Sequence, residues 1–287
     1  MTLDTFQHHR PRLFALAYRL LGSRSDAEDV VQDAWLRWSQ AEWDAIRDPE
    51  AWLVTATTRL GIDRLRRVRQ EREAYPGPWL PEPLDVDASA TPEAGAEIAD
   101  QVSLAFLALL ERLGPEERAA FLLKEAFDHD YERIAELLGH GVANCRQMVH
   151  RARGRLREGR PRFEVHHDRH RQLLERFMQA SQSGDEAAIV RLLDANARLV
   201  SDGGGKVTAA IRPLRGAERI GRLYAAVARR DAPRAHATIG TVNGEPAIIR
   251  SRDGRLESVT TITLRDGRID GILTVLNPDK LRHWRTG

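Results

Sequence analysis

A single cysteine among 287 residues leaves no partner for an intramolecular disulfide, so a disulfide framework is excluded and Cys145 fits a reducing compartment. No apolar run approaches the roughly 20 residues that a membrane-spanning helix needs. The N-terminus also lacks the basic-then-apolar order of a secretory signal, so a cytoplasmic protein with no membrane partner is expected. No internal repeat is visible. From Glu73 to Glu111 there is neither lysine nor arginine, while acids recur from Glu82 and Asp85 to Glu97 and Asp100. The basic residues cluster instead at Arg59–Arg72 and Arg146–Arg162. A net charge of +2 is too small to mark a nucleic-acid binder, but two basic segments on either side of an acidic one suggest two DNA-contacting modules on a tether.

What is present points the same way. In YERIAELLGHGVANCRQMVHRARGRLRE (131–158), Ile134, Leu137 and Leu138 share one helical face. Gly139-His140-Gly141 then makes a tight turn into a helix loaded with arginine. A short helix, a glycine turn and a basic helix predict a helix-turn-helix, whose second helix enters the major groove. Asn144, Arg146, Gln147, Arg151 and Arg153 are the candidate readers, because Asn, Gln and Arg make bidentate contacts with base edges and further arginines serve phosphates. An amphipathic core helix with a solvated arginine face is the plainer alternative.

Residues 1–72 read as helices. Leu13, Leu16, Ala17, Leu20 and Leu21 form one stripe ending at Gly22, and Ser25 is the expected cap of a second helix that buries Val30, Val31, Ala34, Trp35 and Trp38. Asp26, Glu28, Asp29 and Asp33 lie on that helix: a solvated surface, or a dock for a basic partner. Pro49 opens a third helix that runs through Trp52 and Leu60 into Arg59, Arg64, Arg66, Arg67 and Arg69. Aromatics beside a basic groove stack unpaired bases; Trp43, outside the helical pattern, is the candidate, whereas Trp35 and Trp52 are expected in the core.

Five prolines between Pro76 and Pro92 make residues 73–100 a semi-rigid linker. Within it WLPEPL (79–84) sets Trp79 and Leu80 beside Pro81 and Glu82, and a tryptophan between prolines calls for a docking surface. Helices are expected again over 101–160, from Val102 to Leu113 and from Pro115 to Phe127 before the helix-turn-helix. From residue 168 to 287 two helices (Gln172–Ala180, Glu186–Leu193) and a strand at Ala197–Ser201 come first. A further segment at Lys206–Ile211 and a helix at Ala217–Ala228 follow. Four strand-like runs then alternate with Asn243-Gly244, Asp253-Gly254 and Asp266-Gly267, the strongest short-range hairpin signal. This predicts an α+β domain.

Three further sites stay open on residue chemistry alone. His166, His167 and His170 have spacing that a metal can use, but no carboxylate or cysteine completes a set. Asp202, Gly203, Gly204, Gly205 and Lys206 form either a bare turn or a loop that binds a ligand or pairs with another segment. Asp202 and His236 are the two candidates for a general base in an enzymatic reading.

DAEDVVQDAWLRW (26–38) and DPEAWLVTATTRLGIDRLRR (48–67) resemble region two of an extracytoplasmic-function sigma factor. Residues 113–158 resemble region four, in the same order and across a similar linker. The motifs WLPEPL (79–84), SDGGGK (201–206) and NPDKL (277–281) are similar to those of the SigJ-like group, which carries a fused SnoaL-like domain of the NTF2-like cone type. The resemblance implies two all-α sigma domains followed by that α+β cone, and a regulator of transcription rather than an enzyme. It implies core RNA polymerase as partner, through its beta-prime clamp helices and beta flap, with Asp26, Glu28, Asp29 and Asp33 on the clamp. Promoter DNA is the other partner: Trp43 and Arg59–Arg69 fall to the minus-ten element, and Asn144, Arg146, Gln147, Arg151 and Arg153 to the minus-thirty-five element. The extension would regulate in cis, through Trp79, Leu80, Pro81 and Glu82, through Asp202–Lys206, and through Asn277, Pro278, Asp279 and Lys280. No cofactor is implied, and a small-molecule ligand of the cone stays open. A one-component regulator with a ligand-sensing or enzymatic cone is the alternative.

Overall fold

The computed structural model describes residues 2–85, 103–157, 167–231 and 235–284. The described residues fall into two compact units: 2–74 with 106–157, and 75–85 with 103–105, 167–231 and 235–284. No described helix is long and apolar enough to cross a membrane.

The first unit is helical. Helix α1 (Thr2–Leu21), α2 (Arg24–Ser39) and α3 (Pro49–Glu73) pack together around Leu13, Leu16, Leu20, Val30, Val31, Ala34, Leu53, Ile62 and Leu65. Asp48 caps α3 by accepting from Ala51 N at 2.9 Å, with Pro49 in the first turn, where no amide partner is needed. The cap of α2 is Ser23 rather than Ser25: its Oγ accepts from Asp26 N at 3.3 Å, and Ser25 lies inside the helix, 3.1 Å from that oxygen. After α4 (Leu104–Leu110), which is shorter than the Val102–Leu113 expected, come α5 (Pro115–Glu125), α6 (Tyr131–Leu138) and α7 (Val142–Arg157). Gly139 ends α6 at φ 69°, the left-handed conformation that glycine takes without strain. The turn brings α7 onto α5 and α6 through Cys145, Met148, Val149, Ala152 and Leu156. Cys145 is a buried packing residue.

The second unit is α+β. Helices α8 (His167–Ser183) and α9 (Glu186–Leu192) precede β1 (Leu193–Asp202), β2 (Leu214–Arg215), α10 (Ala217–Asp231), β3 (Ala235–Val242), β4 (Glu245–Arg252), β5 (Arg255–Arg265) and β6 (Arg268–Val275). The sheet order is β2-β1-β6-β5-β4-β3, parallel only between β1 and β6. All three hairpin pairs place both central residues at positive φ, from Asn243 (52°) and Gly244 (74°) to Asp266 (49°) and Gly267 (77°), as the signal requires. Lys206–Ile211 is turn and coil, and the short strand lies beyond it at β2. Leu174, Phe177, Leu199, Ile220, Ile262 and Ile272 make the core between the helices and one sheet face. The opposite face carries Val242, Ala247, Val259 and Val275, all fully buried.

Candidate functional site

Helix α7 presents its predicted readers to solvent in two stripes. Asn144, Gln147 and Arg151 recur at helical spacing on one face, with Arg146 and Arg153 seven residues apart on the next. Carboxylates of the same fold orient several of them. Glu117 accepts from Arg151 Nε at 3.4 Å and from Arg155 Nη1 at 2.6 Å, and Glu125 from Arg153 at 2.5 and 3.1 Å. Arg146 stands 5.4 Å from the Tyr131 ring centre and 3.6 Å from Glu132. Arg155 was not among the expected readers, although it lies four residues after Arg151 on the same face.

The acids of α2 divide. Asp29 and Asp33 are exposed, Glu28 accepts from Arg24 at 2.9 Å, and Asp26 is held by Arg64 at 2.6 and 2.8 Å. Burial opposes the charge on Arg64, but the bond and charge of Asp26 outweigh it and raise the guanidinium pKa. A residue expected at the polymerase and one expected at DNA therefore satisfy each other. Arg67 reaches only Asp63 O, at 3.5 Å, while Arg59, Arg66 and Arg69 turn toward residues 113–137.

A groove of about 960 Å³ opens beside α2 and α3, lined by Arg37, Arg47, Trp52 and Arg59 and by Arg133 of α6. Trp52 supplies its aromatic wall and is only half buried. Trp43 instead packs edge-on against the buried Trp38, with ring centres 4.6 Å apart. Trp52 also packs against Trp38, with ring centres 5.4 Å apart, and Trp43 is half buried as well. Trp35 is likewise half buried, against Phe6.

In the second unit, WLPEPL, DGGGK and NPDKL converge on one carboxylate. Asp202 ends β1 and is fully buried. Its side chain accepts from the Tyr75 hydroxyl at 2.5 Å, Leu80 N at 2.8 Å, Gly204 N at 3.1 Å and Lys280 Nζ at 2.6 Å. Its carbonyl accepts from Leu276 N and Asn277 N at 2.8 and 2.9 Å. Asn277 caps the short helix α11 (Pro278–Leu281) by accepting from Asp279 N at 3.0 Å, and its amide donates to the Tyr75 oxygen at 2.9 Å. Lys280 also donates to Leu80 O and lies 4.0 Å from the centre of the half-buried Trp79 ring. Lys206 reaches Asp279 at 2.5 Å on the rim. Leu80, Pro81, Glu82, Pro83 and Leu84 are buried; Leu84 exchanges two 3.0 Å bonds with Asn243, and Trp284 Nε1 donates to Pro83 O at 3.2 Å.

The glycines serve this clasp. Gly204 and Gly205 sit at φ 61° and 69°, and a methyl on Gly205 would lie 2.6 Å from the ring of Pro76. Burial, then the bond to Asp202, pushes the Tyr75 phenol well above its ordinary pKa. Sequence reasoning missed Tyr75, Asn243 and Trp284. The tyrosine stands four residues before the motif, where only its phenol beside a proline run could have drawn notice.

Two other candidates do not assemble. Asp202 is aligned with Val275, and the register continues through Val259 and Ile249 to Thr238 of β3. Four strand spacings of about 4.8 Å put roughly 19 Å between Asp202 and the strand of His236, so the pair cannot act on one atom. His170 donates its Nε2 hydrogen to Ile262 O at 3.1 Å, which removes that nitrogen from metal binding. His166 and the side chain of His167 lie outside the described residues.

Family models match twice: Sigma-70 region 2 over residues 5–71 and Sigma-70 region 4 over residues 103–156. The extracytoplasmic-function RNA polymerase sigma factor SigJ of Mycobacterium tuberculosis is 36% identical over 291 aligned positions, covering 98% of this chain and 93% of that protein. A probable sigma factor SigI of the same organism is 37% identical over 191 positions, covering 65% of this chain and 64% of that protein. The crystal structure of Mycobacterium tuberculosis SigJ superposes with a TM-score of 0.78 at 34% identity, covering 98% of both chains.

Proposed function

The chain belongs to the extracytoplasmic-function sigma factors, in the SigJ-like group with a fused C-terminal domain, and we propose that it directs core RNA polymerase to specific promoters under the control of that domain. It works in the cytoplasm, and its own chemistry is recognition rather than catalysis. Asp29 and Asp33, with Glu28 beside them, form the acidic face offered to the clamp helices. The groove walled by Trp52, Arg37, Arg47 and Arg59 holds the unpaired minus-ten strand by stacking and charge. Helix α7 reads the minus-thirty-five element with Asn144, Gln147 and Arg151, while Arg146 and Arg153 anchor phosphates.

The observation that carries the regulatory half is the Asp202 carboxylate, which gathers three separate motifs at once. The clasp fixes where the linker leaves the C-terminal domain, and so the reach left between the two DNA-contacting elements. Pull-down of core polymerase and run-off transcription, with the full chain and its Lys280→Ala variant, test both halves. Polymerase capture with an altered promoter response in the variant is expected. A full chain that leaves polymerase unbound would sink the sigma reading. A variant that transcribes every promoter like the parent would sink regulation through the clasp.

A further inference from the structure

Four arginines of helix α3 find oxygens on residues 111–137. Arg66 donates to Glu116 at 2.5 Å, Arg69 to Leu113 O at 3.1 Å, Arg72 to Glu111 at 2.5 Å and Arg59 to Leu137 O at 3.3 Å. In return Arg133 of α6 donates to Ala51 O at 3.3 Å, across the groove described above. Arg118 of α5 is the peg of the contact. It is fully buried and donates to Leu20 O at 2.7 Å, to Leu110 O at 2.9 Å and to Glu111 at 2.7 Å. Glu116 also lies 3.1 Å from His140, in the turn before α7. One carboxylate thus ties the basic helix of the first module to the turn of the second.

This contact is incompatible with reading both promoter elements. Their names place them 25 base pairs apart, about 85 Å at 3.4 Å per base pair. Arg66 and Glu116 are in bonding contact. We infer that residues 111–137 act as an internal stand-in for a DNA backbone, offering α3 carboxylates and carbonyls in place of phosphate oxygens, and that promoter DNA takes α3 by displacing them. The inference rests on the assignment of α3 to the minus-ten element. At Arg66 the energetics suit exchange. The Arg66–Glu116 pair is solvent-exposed, with side chains 52% and 39% accessible, so it is screened and weak, whereas a DNA strand offers a continuous row of phosphates.

The test uses the full chain without polymerase and a fluorescent promoter duplex, followed by anisotropy. Glu116→Gln should tighten binding about threefold and Glu111→Gln/Glu116→Gln about tenfold, as expected for removing one exposed and one largely buried competitor. Glu218→Gln, which deletes an exposed acid of the other unit, controls for net charge. Unchanged or weaker binding by Glu116→Gln, with an unaltered thermal melt, overturns the inference; so does an equal gain from Glu218→Gln. If the double variant does not fold, the exposed single variant decides. Run-off transcription by Arg66→Ala with core polymerase separates the two levels. Parent-like transcription there refutes α3 as a minus-ten contact, whatever the glutamate variants do. A loss supports that contact, and the anisotropy of the glutamate variants then decides whether residues 111–137 compete for it.

Discussion

The helical unit and the α+β unit each close an internal contact with carboxylates against long cations, and they do so at opposite ends of the burial scale. Glu116 and Arg66 face solvent, while Asp202 is wholly buried and the Lys280 side chain is 11% accessible. Exposed pairs contribute about 0–1 kcal/mol and fade with salt, because water and ions screen them. A buried pair adds little over an apolar substitute, yet removing one partner strands the other without solvent. Composition alone would call both contacts salt bridges. The comparison teaches that one is built to exchange and the other to persist.

The sharpest break of this comparison is Asp202→Ala. It removes the carboxylate that accepts from the Lys280 ammonium, the Tyr75 hydroxyl and Leu80 N, and should cost about 3–5 kcal/mol in denaturant unfolding of the second unit. Asp202→Ala indistinguishable from the parent would mean that the clasp contributes nothing.

The next effect is a pH dependence confined to the second unit. Glu245 of β4 is cross-strand to Val242, whose other neighbour is Asp85 at the end of the clasped segment. Burial pushes its carboxyl from 4.5 up to about 7. The folded state holds this proton after the unfolded chain has released it, so stability falls as pH rises from about 4.5 to 7 and then levels off. The whole change is about 3 kcal/mol. Glu245→Gln should therefore raise the thermal midpoint at pH 8 and leave it unchanged at pH 4. An equal gain at both values would remove burial of charge as the cause.

A smaller effect is expected at Gly205. Alanine there must adopt a left-handed φ at about 1–2 kcal/mol and also displace the Pro76 ring. Exchange of the Leu80 amide, measured by mass spectrometry, should rise in Gly205→Ala but not in Gly254→Ala. The second glycine shares the positive φ but has open space around it.

How far the residues disclosed this arrangement depended on the range of the physics. The Asn-Gly and Asp-Gly pairs foretold all three hairpins, since φ demands at two adjacent residues are local. The helix-turn-helix was legible for the same reason, through Gly139 and the face set by Ile134 and Leu137. Ser23 and Ser25 compete for one cap with equal chemistry, and only the backbone decides. That Trp52 lines a groove instead of lying wholly in the core was not legible, because a groove wall is set by neighbouring helices rather than by phase. Arg118 was unread altogether. It stands four residues before the buried Leu122, so its phase marked it for the interior, but one of the three acceptors that permit a buried guanidinium, Leu20 O, lies 98 residues away. The clasp was half legible: three motifs pointed to one another, while Tyr75 and Trp284 gave no local sign.

The smallest effect bears most directly on the contrast, because it asks both contacts the same question. Chemical footprinting of the full chain, with an arginine reagent and a lysine acylating reagent, can be run at about 0.05 M and 1 M salt, where the Debye length shrinks from about 14 Å to 3 Å. Screening at that range removes most of the attraction between exposed charges and little of that between Asp202 and Lys280, whose surroundings exclude ions. Arg66 and Arg69 should become a few times more reactive as salt rises, in keeping with a contact worth under about 1 kcal/mol. Lys280 should stay protected throughout, and Lys206, on the rim of the same clasp, should respond as the arginines do. Were Lys280 to become reactive in step with Arg66, burial would not be what separates the two contacts. Protection of Arg66 at 1 M salt would instead mean that the Arg118 peg, and not the exposed pairs, holds α3 against the helix-turn-helix segment.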